Sequence, residues 1–211
     1  MQSIGDFMKM VLICLCLSFN VWSKTAPTKE PKAVATKEVK ATTSSEILQF
    51  KASDGKVGFI ATGRPAMIKI IGESEGPTGQ LNLSNDKVSG KLILDMTKLT
   101  TKIDLRDDHM KNKYLEVGKF PTSEILINEF SITKSELSSS IKKEFNGELT
   151  MHGITKPVKG EIELSEKNKL ISAKAKFKIN IMDFLSTLPS YAGIKVADET
   201  EITVDISTLR Q

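Results

Sequence analysis

Period-two alternation of apolar and polar residues runs through most of this chain after Ser45, and it confines the fold to sheet. In "KVSGKLILDM", Val88, Gly90, Leu92, Leu94 and Met96 alternate with Lys87, Ser89, Lys91, Ile93 and Asp95. "EFNGELTMHG" places Phe145, Gly147, Leu149 and Met151 on one face. "LISAKAKFKINIMDF" sets Ala173, Ala175, Phe177, Ile179 and Ile181 against Lys174, Lys176, Lys178 and Asn180. Phe50, Val57 and Phe59 continue the pattern on either side of Asp54-Gly55. Successive side chains of a strand point to opposite faces, so these runs read as antiparallel strands with one buried and one wetted face. Turn signals fall at Asp54-Gly55, Gly76-Pro77, Asn85-Asp86, Lys156-Pro157 and Lys167-Asn168. They divide the chain into about eight to ten strands, some longer than the usual five or six residues. Long amphipathic antiparallel strands in one domain of this size make a closed up-and-down barrel or a sandwich. Closure also removes exposed edges.

The inward positions are rich in slim or flexible groups: Gly90, Gly147, Ala173, Ala175, Met67, Met96 and Met151. Large aromatics are scarce, with two Tyr and one Trp in the chain, and Trp22 lies in the N-terminal segment. An eight-stranded barrel either packs solid or holds one elongated guest. A core short of aromatics leaves room for an apolar guest. Ile, Leu, Val and Phe at ordinary density would fill it instead. Composition leaves both open.

Residues 1–23 have the build of a secretory signal peptide: Lys9, the apolar run "MVLICLCLSF", then Val21 and Ser23 at the −3 and −1 positions of a cleavage site. The run is too short to span a bilayer comfortably. The alternatives are a buried N-terminal helix or an uncleaved anchor. Both cysteines, Cys14 and Cys16, sit in this run behind the bulky Ile13 and Leu15, which does not suit lipoprotein processing. The mature chain is therefore expected to carry no disulfide, thiolate nucleophile or Cys-based metal site. Residues 24–45, "KTAPTKEPKAVATKEVKATTSS", alternate Pro, Ala, Thr and Lys without an aromatic and read as a disordered tether. Setting aside Asp6, Lys9 and the tether's five Lys and two Glu leaves 24 basic and 23 acidic residues in 46–211. That near balance argues against a nucleic-acid reader, whose positive charge would cluster on the domain. The folded domain is expected to span 46–211 and to reside in the periplasm or outside the cell.

Between strands ending near Thr97 and beginning near Glu124 lies a connection of about 25 residues, far longer than a hairpin loop. Within it "LRDDHMKNKYLE" spaces Leu105, Met110, Tyr114 and Leu115 as on a helix, with Asp107 or Asp108 placed to cap its first turn. A short helix over one mouth of the barrel follows. Asp–His pairs and an Arg serve acid/base work and oxyanion stabilisation. The domain, however, has only His109 and His152, and no nucleophile elbow, His-Glu-x-x-His or phosphate-cradling loop accompanies them. Two His without spaced carboxylates are a weak metal signal. Lid architecture, fixed by Arg106 with Asp107 or Asp108, is the stronger reading, and neither a cofactor nor a metal is expected.

"LTTKIDLRDDHMKNKYLEVGKFP" resembles the Thr…Arg-Asp-x-His-(Leu/Met)…Phe-Pro signature of the YceI-like family of secreted bacterial polyisoprenoid-binding proteins. "FNGELTMHGITKPV" is similar to its Gly-x-Leu-Thr-x-x-Gly-x-Thr-Lys segment, and "INIMDFLSTLPSYAGIKVADETEITVDI" to its closing strands. The resemblance covers about residues 46–208. It implies a lipocalin-like antiparallel barrel of about eight strands whose apolar tunnel binds a long isoprenoid or comparable amphiphile, without enzymatic activity. By resemblance Arg106, Asp107, His109 and Met110 form the polar signature near the barrel, with Gly147, Leu149, Thr150, Gly153, Thr155 and Lys156 as the second motif. Family members often pair, so a homodimer is possible. Where the family often has Gly after Asp-Phe this chain has Leu185, a change that would narrow the pocket.

Strand parity then selects Phe50, Phe59, Leu92, Leu94, Met96, Leu149, Phe177, Ile179 and Ile181 as tunnel lining. Arg106, His109 and Tyr191 are the candidate head-group contacts. "HGITKP" reads as a tight hairpin and "LPSYAG" as a loop before the last strand. Two rivals stand beside the lipid binder. One is a stress-response or interaction module with a solid barrel. The other is a hydrolase or isomerase centred on Asp107, Asp108 and His109.

Overall fold

The computed structural model describes residues 45–65, 68–191 and 193–210, without the side chain of Tyr191. The expected signal peptide, almost all of the tether, and Met67 lie outside the described residues. Ser45, read as the tether's last residue, already opens the first strand. The strands are β1 (Ser45–Phe50), β2 (Gly55–Arg64), β3 (Ile68–Glu75), β4 (Thr78–Ser84), β5 (Lys87–Asp95), β6 (Thr122–Ser131), β7 (Ile141–Met151), β8 (Ile154–Lys167), β9 (Leu170–Asn180), β10 (Ser190–Tyr191) and β11 (Ile194–Leu209). Helix α1 (Asp104–Asp108) continues as a π-helical segment through Tyr114, and α2 is Lys134–Ser138.

All pairings are antiparallel, in the order β1-β4-β5-β6-β7-β8-β9-β11-β2-β3, with β10 added to β11. The two ends of that order belong to strands already counted. β1 and β2 are halves of one long strand, as are β3 and β4, and the two long strands lie side by side. Lys56 faces Glu75 in one half and Phe50 faces Gly79 in the other. Chain continuity thus closes the sheet into an up-and-down barrel; with the two bends counted as breaks the ladder holds ten strands, slightly more than the eight or so expected from the sequence.

The two interruptions face each other. A 3₁₀ turn at Ala52–Asp54 breaks the first long strand, with the Asp54 carboxylate accepting from the Lys51 N–H at 2.8 Å. Gly76-Pro77 breaks the second, and the Gly76 N–H donates to the Ala52 carbonyl at 2.9 Å. A Cβ on Gly76 would stand 2.8 Å from the Gly55 backbone, so this crossing needs glycine. Pro77 has no N–H with which to continue a ladder. Asp54-Gly55 and Gly76-Pro77 are therefore bends within strands rather than hairpins.

True hairpins fall where two consecutive residues take positive φ, as type I′ turns require. They are Asn85-Asp86 (51° and 58°), His152-Gly153 (52° and 74°) and Asn168-Lys169 (51° and 66°). The Lys156-Pro157 signal is corrected: both residues lie inside β8, with Pro157 opposite Glu148. β9 pairs with β8 only from Gly160 onward, so Pro157 occupies an open edge, where strand proline is tolerated.

Up-and-down order gives the barrel two distinct ends. The upper end carries the β2–β3 connection, the β7–β8 hairpin, the connection 96–121 and the connection 181–193. The lower end carries Ser45, the β4–β5 and β8–β9 hairpins, α2 and Arg210. Arg210 ties that end together, donating from Nε to Glu46 at 2.8 Å and from Nη1 to Glu166 at 2.5 Å. The lower interior is packed. Leu81, Phe145, Ile171 and Ile206 are almost fully buried, and Phe145 meets Phe177 edge to face at 6.0 Å.

Candidate functional site

The upper half of the barrel is hollow. A cavity of about 550 Å³ opens toward the upper end, within the range of small-molecule sites. Its floor is the packed lower core, where a small void of about 20 Å³ lies beside Phe145 and Ala173. The cavity is therefore a blind tunnel. Its wall comes from the inward parity positions of β2, β3, β5, β6, β7, β9 and β11.

Phe59, Leu92, Leu94, Met96, Leu149, Phe177, Ile179 and Ile181 all line the cavity. Phe50 does not. It is buried at 4% exposure, but the bend at residues 52–54 leaves it in the lower half, away from the hollow. Parity assigned its face correctly and could not assign its height along the axis. Several lining residues escaped the reading: Val57, Ile70, Ile125, Val196, Ile202 and Val204. Ile202 and Val204 share the inward parity of β11 in "EITVDI", and that alternation was a usable signal. Leu185 is buried and lines the cavity, so this position does occupy pocket space.

The roof is the connection 96–121. Ile103, Leu105, Arg106, His109, Met110, Tyr114 and Leu115 from α1 and its extension all line the cavity, which makes the helix a lid. Asp107 fixes it, though not as an N-cap, because that position is Ile103. From inside the first turn its carboxylate reaches back to accept from Thr100 Oγ1 at 2.6 Å and the Thr101 N–H at 2.7 Å, and also from Thr101 Oγ1. Arg106 donates from Nε to Thr101 Oγ1 at 2.8 Å and from Nη2 to the Thr101 carbonyl at 3.0 Å. Burial pushes the Asp107 carboxyl up. The hydrogen bonds from Thr100 and Thr101 more than offset this and hold it below the usual carboxylate range.

Two further contacts seat the lid. Thr100 pairs with Glu73 of β3, and the Tyr114 hydroxyl donates to the Ser190 carbonyl at 2.9 Å while accepting from its N–H at 3.0 Å. Ser190 belongs to the other upper connection, so this pair latches the two roof segments. Tyr191 pairs through its backbone with Ile194, and its side chain lies outside the described ones.

In the expected polar cluster both aspartates are engaged by neighbouring side chains. Asp107 is committed to the threonines, and Asp108 accepts from Asn112 at 2.6 Å. His152 sits apart, bonded to Glu116 at 2.8 Å and tilted against Phe120, with ring centroids 4.4 Å apart. Among the described residues no group of three or more His, Cys, Asp or Glu is placed to hold a metal. Polar groups do reach the hollow. Arg106 and His109 line it from the lid, and Arg106 forms no ion pair among the described residues. Thr200, 5% exposed, lines the β11 wall with its hydroxyl lacking a hydrogen-bond partner among the described residues. In the second motif Thr150 and Thr155 bond each other at 2.8 Å across the β7–β8 hairpin. That serves the hairpin.

The family model for the YceI-like domain matches residues 48–208. No curated protein matches the sequence. Among solved structures, a polyisoprenoid binding domain from Saccharophagus degradans implicated in plant cell wall breakdown superposes with a TM-score of 0.60 at 10% identity, covering 80% of this chain and 100% of its own. BcnA of Burkholderia cenocepacia gives 0.63 at 15% identity, covering 75% and 99%. The YCEI protein of Campylobacter jejuni gives 0.54 at 14% identity, covering 67% and 85%. At these identities the structural likeness concerns the fold. No helix among the described residues is long and apolar enough to cross a membrane.

Proposed function

This chain belongs to the YceI-like family, and from the blind cavity of its barrel we propose that it binds the hydrocarbon chain of a polyisoprenoid or similar amphiphile without catalysing a reaction on it. The protein stores or carries its guest in the periplasm or outside the cell, delivered there by the N-terminal segment. The observation that carries this reading is a hollow, lidded interior walled almost wholly by aliphatic and aromatic side chains. An interaction module with a solid barrel fits that interior less well.

Phe59, Leu92, Leu94, Met96, Leu149, Phe177, Ile179 and Ile181 would hold the chain, and Arg106, His109 and Tyr191 the head group. Thr200 adds a hydroxyl that a polar substituent on the guest would satisfy. If a carbon centre takes about the ~30 Å³ share of a liquid water, the hollow accommodates on the order of twenty carbons. Burying ten carbons gains about 8 kcal/mol at about 0.8 kcal/mol per methylene. Association itself costs an estimated 4–15 kcal/mol, so a short chain binds weakly and one of roughly twenty carbons binds well.

The test is a calorimetric titration with prenols of increasing length. Affinity is expected to rise with each isoprene unit up to about four units and then level off, as further units protrude from the mouth. Absence of binding at every length contradicts the proposal.

A further inference from the structure

The mouth of the tunnel is bordered by apolar side chains that the fold leaves in water. Ile68, Ile103 and Leu105 line the cavity, yet they are 45%, 52% and 51% exposed. They approach the opening from two sides, Ile68 from the first residue of β3 and the other two from the start of α1. Ile68 sits opposite Gly63 on β2, and Ile194 of β11 flanks the same glycine, where an added Cβ would lie 2.8 Å from its Cγ2. The apolar lip is thus continuous with the tunnel wall. Three residues along β3 from Ile68 and on its outer face, Ile71 is 59% exposed, directly across from Ile60. Buried wall and exposed lip form one apolar surface, and such surfaces mark contact sites.

Cations frame this corner. Arg64 and Lys195 face each other across the β2–β11 ladder, and Lys69 stands on β3 next to Ile68. Like charges directly opposed destabilise a sheet, and none of these three has an ion-pair partner among the described residues. The acids near the opening are spoken for or single: Glu73 pairs with Lys102 at 2.8 Å, while Asp104 and Asp198 are exposed. Ser45 and Arg210 lie at the far end of the barrel from the mouth.

We propose that this lip is a docking face for the surface of a lipid bilayer bearing anionic head groups. Ile68, Ile103, Leu105 and Ile71 enter the interfacial region while Arg64, Lys69 and Lys195 meet the head groups. Docking sets the open tunnel directly on the bilayer, so an apolar chain passes between membrane and barrel without crossing water. This use of the face rests on the lipid-carrying reading, whereas docking itself can be measured alone.

The experiment is flotation of the full chain, as purified from the producing cell, with vesicles of phosphatidylcholine alone or mixed with phosphatidylglycerol. Three further proteins are compared: R64Q/K69Q/K195Q, I103S/L105S, and a tether variant with Lys24, Lys29, Lys32, Lys37 and Lys40 changed to Gln. Loading with a detergent-dispersed prenol is measured in parallel. Wild type is expected to float with the anionic vesicles in a salt-sensitive manner. Loss of three head-group contacts should weaken this about a hundredfold, at roughly fivefold per cation. The serine pair should weaken it roughly tenfold. R64Q/K69Q/K195Q, which lies outside the cavity, should still load from detergent, and both lip variants should unfold cooperatively in urea as wild type does, which shows them folded. Equal flotation of wild type and both lip variants, with binding lost only in the tether variant, overturns the proposal and leaves the carrier reading intact. Wild type that docks through the lip but takes up no prenol from any source supports the docking face and contradicts the carrier reading.

Discussion

Ala61→Phe is expected to abolish guest binding while leaving the barrel as stable as before. Ala61 is 5% exposed, lines the cavity, and lies between Ile70 and Thr200 in the ladders on either side. A ring attached there projects into space that no side chain occupies. It displaces about six of the roughly twenty carbons the hollow accommodates, at about 0.8 kcal/mol each, near 5 kcal/mol in all. That corresponds to a loss of affinity of about three and a half orders of magnitude. A ring added to a well-packed core would strain it by about 1–3 kcal/mol, but filling a void brings new dispersion contacts instead. Urea unfolding should therefore stay within about 1 kcal/mol of wild type. Unchanged affinity in a folded Ala61→Phe protein would place the guest outside the cavity. A collapse of stability would mean that the hollow is packed.

The second large effect concerns the lid. Asp107→Ala removes the acceptor of three hydrogen bonds from Thr100 and Thr101 and leaves Thr101, 6% exposed, with a buried hydroxyl and N–H to satisfy. Hydrogen bonds to a charged acceptor are worth about 1.5–3 kcal/mol apiece, and some are recovered by relaxation or water, so a loss of about 3 kcal/mol is expected. In a domain of this size that lowers Tm by roughly 6–12 °C. The pH dependence has a definite sign. The Asp107 carboxyl is depressed in the folded state, so its contribution is fully present above the ordinary aspartate range. It is lost as pH falls through the lower folded value. Wild type should lose stability below about pH 4 with a component missing from Asp107→Asn. Identical acid unfolding profiles would show that the Tyr114–Ser190 latch alone seats the lid.

Much of this arrangement was legible in the sequence because period-two patterning is a local signal. The faces of β5, β7 and β9 follow directly from the alternation of Leu92 and Leu94, of Phe145 to Met151, and of Ala173 to Ile181. Long-range facts were not available to the same reasoning. Asp54-Gly55 and Gly76-Pro77 carry the residues of a turn, yet each bends a strand because the other stands opposite it, a pairing no single window contains. Lys156-Pro157 looked like a turn because strand proline is rare, and only the short reach of β9 explains its place in β8. Phe50 was given its correct face and the wrong depth for the same reason. The hollow itself depends on how all the strands share one interior. Composition could therefore raise a tunnel as a possibility but not choose it over a solid core. Asp107 illustrates the opposite case: its type was informative, while its partners, reached by folding the chain back on itself, were not.

The central claim is that an apolar chain occupies the barrel, and native mass spectrometry of the protein purified gently from the envelope fraction of its own cells tests it most directly. The account predicts a discrete mass above that of the polypeptide, extractable into organic solvent as a prenyl or other long-chain compound and missing from Ala61→Phe. A protein that emerges empty and remains empty when isoprenoids are added would contradict it.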